Sequence, residues 1–224
     1  MSKKERPQTQ SAFTLFSKSS KLVSDNVRLF MIVSIATIAQ AVYGIFRKPV
    51  TNVQIKSVAD VFKQLGFSPA IFAVFVVVTV VMAAVLPKLS TEVAKGNKPT
   101  ISDLWDFALR YTFPIFALSI ITGLAIMGGL ILLIVPGVII LRKFYLAPYV
   151  LVDQDTGILE SLRISARLTD KAPGSIWGLI GVSILLSFPS AVSVYGIGAI
   201  VSAILTIAYA VAPALRYQEL KKLK

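Results

Sequence analysis

Uncharged apolar runs alternate with short polar segments along the whole of this chain. No Asp, Glu, Lys or Arg occurs from Gln64 to Pro87, from Tyr111 to Leu141 or from Ala172 to Leu215. A bilayer core takes about 20 apolar residues per helix. The last run therefore has room for two crossings, and the middle one for a crossing and part of another. Soluble cores rarely need uncharged stretches this long, so the pattern predicts an all-α, polytopic membrane helix bundle. Six spans are expected, at about 29–46, 68–86, 112–135, 138–152, 172–188 and 196–215, arranged as three hairpins with interfacial amphipathic helices.

Together, residues 29–215 form one expected membrane domain, preceded by a tail at 1–28 and followed by a basic tail at 216–224. The first span ends at Arg47, Lys48 and Pro49. Between Val50 and Phe67, the helical spacing of Val58, Val61, Phe62 and Leu65 predicts a short helix on the membrane surface. Pro136 and Gly137 predict a tight turn between the third and fourth spans. The break between the last two is expected between Phe188-Pro189 and Tyr195–Gly198.

The even-numbered spans share a signature. Pro87, Pro148 and Pro213 stand at corresponding places near their ends. Gly96 follows the first by nine residues and Gly157 the second by nine. An amphipathic segment follows each glycine. Leu104, Ala108 and Thr112 share one face of the first segment, whose start, Thr100 with Asp103, reads as a capping box. Leu162, Ala166 and Thr169 share a face of the second, opposite Arg163 and Arg167. Phe13, Phe16 and Val23 give a rougher version before the first span. The chain thus reads as three units, each an amphipathic helix followed by a two-span hairpin.

Charge sets the expected orientation. The chain of 224 residues carries 23 Lys and Arg against 11 Asp and Glu, a net charge of +12. With both termini in the cytoplasm, the internal segments hold six, four, three and four of these cations. The external loops hold four, all in the first loop. A multi-pass protein of the plasma or inner membrane, with N- and C-termini cytoplasmic, is therefore expected. Met1 to Arg28 contains no long apolar run and no clear cleavage site, so a cleavable signal peptide is not expected.

Because the basic residues flank apolar spans, anionic lipid headgroups are the expected partners rather than nucleic acid. There is no cysteine and no histidine. That removes thiol nucleophiles, thiolate and imidazole metal ligands and the commonest general base. No cofactor or metal is expected.

Arg142 and Lys143, inside the fourth span, are the sharpest candidates for function, because ionisable groups at membrane depth are costly. Arg142 could snorkel, hold a lipid phosphate or other anion, or pair with a carboxylate. Asp153 and Asp155 read as a loop cap. Pro87, Pro136, Gly137, Pro148 and Pro213 read as structural turns. Gly174 with Gly178, and Ala199 with Ala203, would let helices approach closely, which leaves a homo-oligomer or a membrane-protein partner open.

The run Ile134-Val-Pro-Gly-Val-Ile-Ile-Leu-Arg142, then Ala147-Pro148, Val152-Asp153 and Glu160-Ser-Leu-Arg-Ile-Ser-Ala-Arg-Leu-Thr169, resembles a widespread bacterial six-span membrane family. That family includes the membrane domain attached to some glycerophosphoryl diester phosphodiesterases. Ser161 stands where the family often has Ala. The specific match covers Leu130 to Ile180. It implies a membrane-domain fold and not an activity, since the phosphodiesterase histidine and acidic metal motifs have no counterpart here.

Three functions follow. The first is a non-catalytic protein supporting membrane or lipid organisation, or an accessory subunit. The second is a transporter or channel for a small or anionic solute, using Arg142. The third, a membrane lipid enzyme, lacks an acid–base constellation. The residues favour the first.

Overall fold

Without water to satisfy them, backbone N–H and C=O groups in an apolar run must pair within the run, and a helix does this. The computed structural model describes residues 9–46, 68–192 and 197–223, and among these there is no strand. Eleven helices follow one another among the described residues: α1 (Ala12–Asp25), α2 (Val27–Val33), α3 (Ile35–Phe46), α4 (Pro69–Ala94), α5 (Ile101–Leu132), α6 (Ile134–Phe144), α7 (Ala147–Gln154), α8 (Ile158–Lys171), α9 (Pro173–Val192), α10 (Ile197–Ala208) and α11 (Ala212–Lys222).

Among the described residues, five stretches are long and apolar enough to cross a membrane: Pro69–Ala94, Ile101–Leu132, Ile134–Gln154, Pro173–Ser190 and Ile197–Lys222. The protein is an all-α, multi-pass membrane protein. The expected first span, 29–46, is helical but divided at Ser34 (φ −93°, ψ 6°) into α2 and α3, neither of which has the required length among the described residues. The surface helix expected between Val50 and Phe67, and the cations of that loop, lie outside the described residues.

The reversal between the third and fourth expected spans corrects the sequence-based placement. It falls on Leu133 alone, in extended backbone (φ −162°, ψ 141°), and not on Pro136-Gly137. Pro136 lies in the first turn of α6, where a missing N–H costs nothing because the first four amides have no intrahelical acceptor. Gly137 packs directly against α5, at Leu130 and Gly129. A Cβ there would lie 2.5 Å from Leu130 Cγ and 2.7 Å from its backbone nitrogen, whereas a Cβ at Gly128 meets nothing within 4 Å. We therefore expect Gly137→Ala to cost about 1–3 kcal/mol by overpacking, while Gly128→Ala gains about 0.5–1 kcal/mol from helix propensity. Thermal unfolding in detergent should rank the two on opposite sides of the parent.

The three marked prolines also differ from simple turns. Pro87 sits inside the continuous helix α4. Pro148 and Pro213 stand in the first turn of the new helices α7 and α11, after real breaks at 145–146 and 209–211. The segments around and after these prolines differ from the rest of the bundle. No large hydrophobic side chain is exposed from Val78 to Thr100, from Ile140 to Ile158 or from Leu205 to Leu223. Exposed apolar side chains concentrate instead on 71–77, 113–139, 177–188 and 197–204. The molecule thus has an apolar band and a covered layer that holds its charges.

The covered layer is closed by the amphipathic helices. α1 packs on α10 and α11, the start of α5 on α4, and α8 on α6 and α7. Their N-caps are Ser11, Thr100 and Gly157. Counting four and eight residues from each cap gives one stripe: Leu15 and Ser19, Leu104 and Ala108, Ser161 and Ser165. All six are buried or half-buried.

The serines at the eighth position serve the breaks. Ser19 Oγ donates to the Ala208 carbonyl at 2.7 Å and accepts from the Val211 amide at 3.1 Å, satisfying both sides of the α10–α11 break. Ser165 Oγ donates to the Lys143 carbonyl at 2.7 Å, at the α6–α7 break. At the third position, facing the unbroken α4, stands Ala108. Ser19→Ala should orphan two buried backbone groups and Ser165→Ala one. Each orphaned group costs about 1–3 kcal/mol, so Ser19→Ala is expected to lower the unfolding temperature more.

Candidate functional site

Arg142 and Lys143 end α6, and both meet a carboxylate from α8. Arg142 Nη2 lies 2.6 Å from Asp170 Oδ1, and Lys143 Nζ lies 3.3 Å from Oδ2. Of the roles weighed for Arg142, the geometry matches the ion pair. The bond from Ser165 to the Lys143 carbonyl fixes α8 against the same turn, so Asp170 is held in place from both directions.

The larger cluster was not among the expected site residues. It centres on Asp153, whose side chain is 1% exposed. Lys95, at the end of α4, places Nζ 2.5 Å from Oδ1. From α11, Tyr217 donates to Oδ2 at 2.7 Å, and Lys221 Nζ reaches the same oxygen at 2.6 Å. Gln154 Nε2 donates to Tyr217 Oη at 3.0 Å. One carboxylate therefore joins the segments that follow Pro87, Pro148 and Pro213.

Local geometry explains the convergence. Gly96 takes φ +87°, which only glycine adopts without penalty, and ends α4 directly after Lys95. Asp155 ends α7 in the left-handed region (φ 49°), which Asp tolerates better than most residues. The two acids consequently part. Asp153 turns to α4 and α11. Asp155 accepts from Arg110 Nη2 and Tyr111 Oη of α5, both at 2.8 Å. The expected loop cap is in fact a junction of four helices. Among the described residues, no group of three or more His, Cys, Asp or Glu could hold a metal ion.

Lys88 extends the cluster. Its ammonium lies 2.9 Å from Glu92 Oε1, donates to the Val152 carbonyl at 3.1 Å, and sits 5.5 Å from the centre of the Tyr111 ring. Glu92 also receives Asn97 Nδ2 at 2.5 Å. Partial burial disfavours the charge on Lys95, but its bond to Asp153 and the fields of Asp153 and Glu92 outweigh this and hold its pKa above the ordinary lysine value. Each charge here has an opposite partner, and the pairs to Asp153 join α4 and α11 to α7.

A signal for this junction was present in the sequence. Lys95 follows Pro87 by eight residues, and Lys221 follows Pro213 by eight. The spacing places two cations equivalently in two units, opposite the acid of the third.

The expected basic tail after Leu215 is the helix α11. Arg216, Tyr217 and Leu220 are fully buried. Arg216 Nη2 donates to the Gln10 carbonyl at 2.6 Å, and Nη1 pairs with Glu219 at 2.5 Å. Glu219 Oε1 also accepts from the Gln10 amide at 3.2 Å, so Gln10, just before the α1 cap, is clamped on both of its backbone groups.

A groove of about 470 Å³ lies between α3 and α4. It is lined by apolar side chains, including Ile35, Ala39, Ile71, Val74 and Phe75, and Arg142 is not part of it. Compared with protein-family models, curated proteins and solved structures, the chain matches none.

Proposed function

We propose that the chain is a non-catalytic scaffold of the plasma or inner membrane, built as six spans in three helix-plus-hairpin units with both termini in the cytoplasm. In this reading the covered layer faces the cytoplasm and its outward cations hold anionic lipid headgroups. The observation that carries it is the Asp153 junction. Its charges are matched to fixed partners across helices, as are Arg142 and Lys143 to Asp170, which is the arrangement of a structural brace. Exposed Lys18 and Lys21 on α1, and Arg163, Arg167 and Lys171 on α8, supply the lipid-facing charge. The resemblance of Leu130 to Ile180 to a bacterial six-span membrane domain accords with this reading.

The test is lipid retention by the purified full chain, measured by native mass spectrometry in mixed phosphatidylglycerol and phosphatidylcholine. Preferential retention of the anionic lipid, lost in the Arg163→Gln, Arg167→Gln double variant, is the expected result. Equal retention of both lipids would overturn the lipid role. Anion flux through reconstituted vesicles, abolished by Arg142→Ala, would replace it with transport.

A further inference from the structure

We propose that Arg142, Lys143 and Arg167 bind the phosphate of one anionic phospholipid, whose acyl chain lies along Val138 and Ile139 of α6. The proposal rests on the lipid role given above and assigns that role a built site. The case begins with the three units compared at equal distances from their prolines. Six and five residues before Pro148 stand Arg142 and Lys143. The same positions before Pro87 carry Val81 and Met82, and before Pro213 they carry Ile207 and Ala208. Asp170 follows the N-cap Gly157 by thirteen residues. At that distance from the N-caps Ser11 and Thr100 stand Ser24 and Phe113. Two units are thus built without charge where the middle unit has three charged residues. Ionisable groups beside hydrocarbon are costly, and the fold of the other two units does without them.

The ion pair leaves the cations in excess. Asp170 meets Arg142 through Nη2 alone, at 2.6 Å, and Lys143 at 3.3 Å. Arg142 Nη1 and Nε have no hydrogen-bond partner among the described residues, although the side chain is only 12% exposed. A guanidinium presents five N–H groups in a planar fork, and its free edge matches a phosphate. Arg167 lies three residues before Asp170, hence on the same face of α8. It is exposed and forms no ion pair among the described residues. Three cations thus stand against one carboxylate, and the excess suits a phosphodiester.

Hydropathy makes the ligand a lipid. On α6 the exposed large apolar side chains end at Val138 and Ile139, and none follows until Leu159. Val138 and Ile139 precede Arg142 by four and three residues, so they share its face. One face of α6 therefore passes within a turn from exposed apolar surface to a cationic fork, in the order of an acyl chain and its phosphate. α9 packs on α6 and exposes Trp177 near its start, a residue type that favours the headgroup boundary. A free anion would gain nothing from Val138 and Ile139.

The test titrates the purified full-length chain with phosphatidylglycerol or phosphatidylcholine, with bound lipid counted by native mass spectrometry. The parent should hold its first phosphatidylglycerol at least fivefold more tightly than phosphatidylcholine. The Arg142→Gln, Asp170→Asn double variant removes a cation and its carboxylate together, so neither is left orphaned, and it keeps Arg163 and Arg167. It should weaken that first phosphatidylglycerol at least fivefold. Affinity equal to the parent's would overturn this site while leaving the broader lipid reading on Arg163 and Arg167 standing. A second measurement keeps the ion pair intact. A photoreactive residue at position 139 should crosslink to phosphatidylglycerol, and excess unlabelled phosphatidylglycerol should block the reaction. Equal blocking by phosphatidylcholine would overturn the headgroup assignment, and blocking by inorganic phosphate would overturn it in favour of a free anion.

Discussion

Replacing both Lys95 and Lys221 by Met should damage this protein more than replacing Asp153 by Asn. The double variant leaves the Asp153 carboxylate, 1% exposed, with Tyr217 as its remaining partner. An uncompensated buried charge costs about 3–5 kcal/mol. Asp153→Asn removes the buried charge instead and releases two lysines that are 33% and 46% exposed. Both can turn to water, and the amide oxygen can still accept from Tyr217. That loss should be about 1–3 kcal/mol, the value of hydrogen bonds to a charged group. Adding Asp153→Leu to the double lysine variant should recover much of the stability, because a fully apolar replacement of a buried ion cluster is often neutral. Apparent unfolding temperatures in one detergent should follow the order parent, Asp153→Asn, double lysine variant. A triple variant less stable than the double one would contradict the junction as described.

Arg216→Met should have the second large effect. The fully buried guanidinium pairs with Glu219 and donates to the Gln10 carbonyl. Its removal orphans that carbonyl and frees the entry to α1, at about 2–4 kcal/mol for the two charge-assisted bonds together. Arg216→Lys should rescue little, since a single ammonium cannot occupy both fork positions. Limited proteolysis reports the effect directly. Cleavage before Ser11 should accelerate in both variants and not in Lys222→Met, whose side chain is exposed.

The membrane class was legible because hydropathy needs no knowledge of contacts. Among the described residues, the uncharged runs at Gln64–Pro87, Tyr111–Leu141 and Ala172–Leu215 are helical apart from short breaks such as Leu133 and 209–211. The turn at Pro136-Gly137 was misplaced because the same dipeptide suits two places. Proline fits a turn, and it equally fits the first turn of a helix. Gly137 is there for contact with Leu130 and Gly129, which lie on the preceding helix and leave no local mark.

The site was legible only in part. A carboxylate partner for Arg142 was one of its expected roles, yet Asp170 is 28 residues away and nothing local selects it. Lys95 and Lys221 lie 58 and 68 residues from Asp153, and their shared distance from a proline gains meaning only once the units are seen to converge. α11 reads as a tail in the sequence because its charges hide its burial. Arg216 counts as a surface residue by type and lies in the core by contact.

The absence of native cysteine makes one measurement decisive for the membrane scaffold and its orientation. Single cysteines introduced as Lys98→Cys, between α4 and α5, and Leu133→Cys, between α5 and α6, are tested in intact cells with a membrane-impermeant maleimide. The account predicts labelling at position 133 from outside, with position 98 labelled only after the membrane is opened. Labelling of position 98 in intact cells, with position 133 protected, would contradict it.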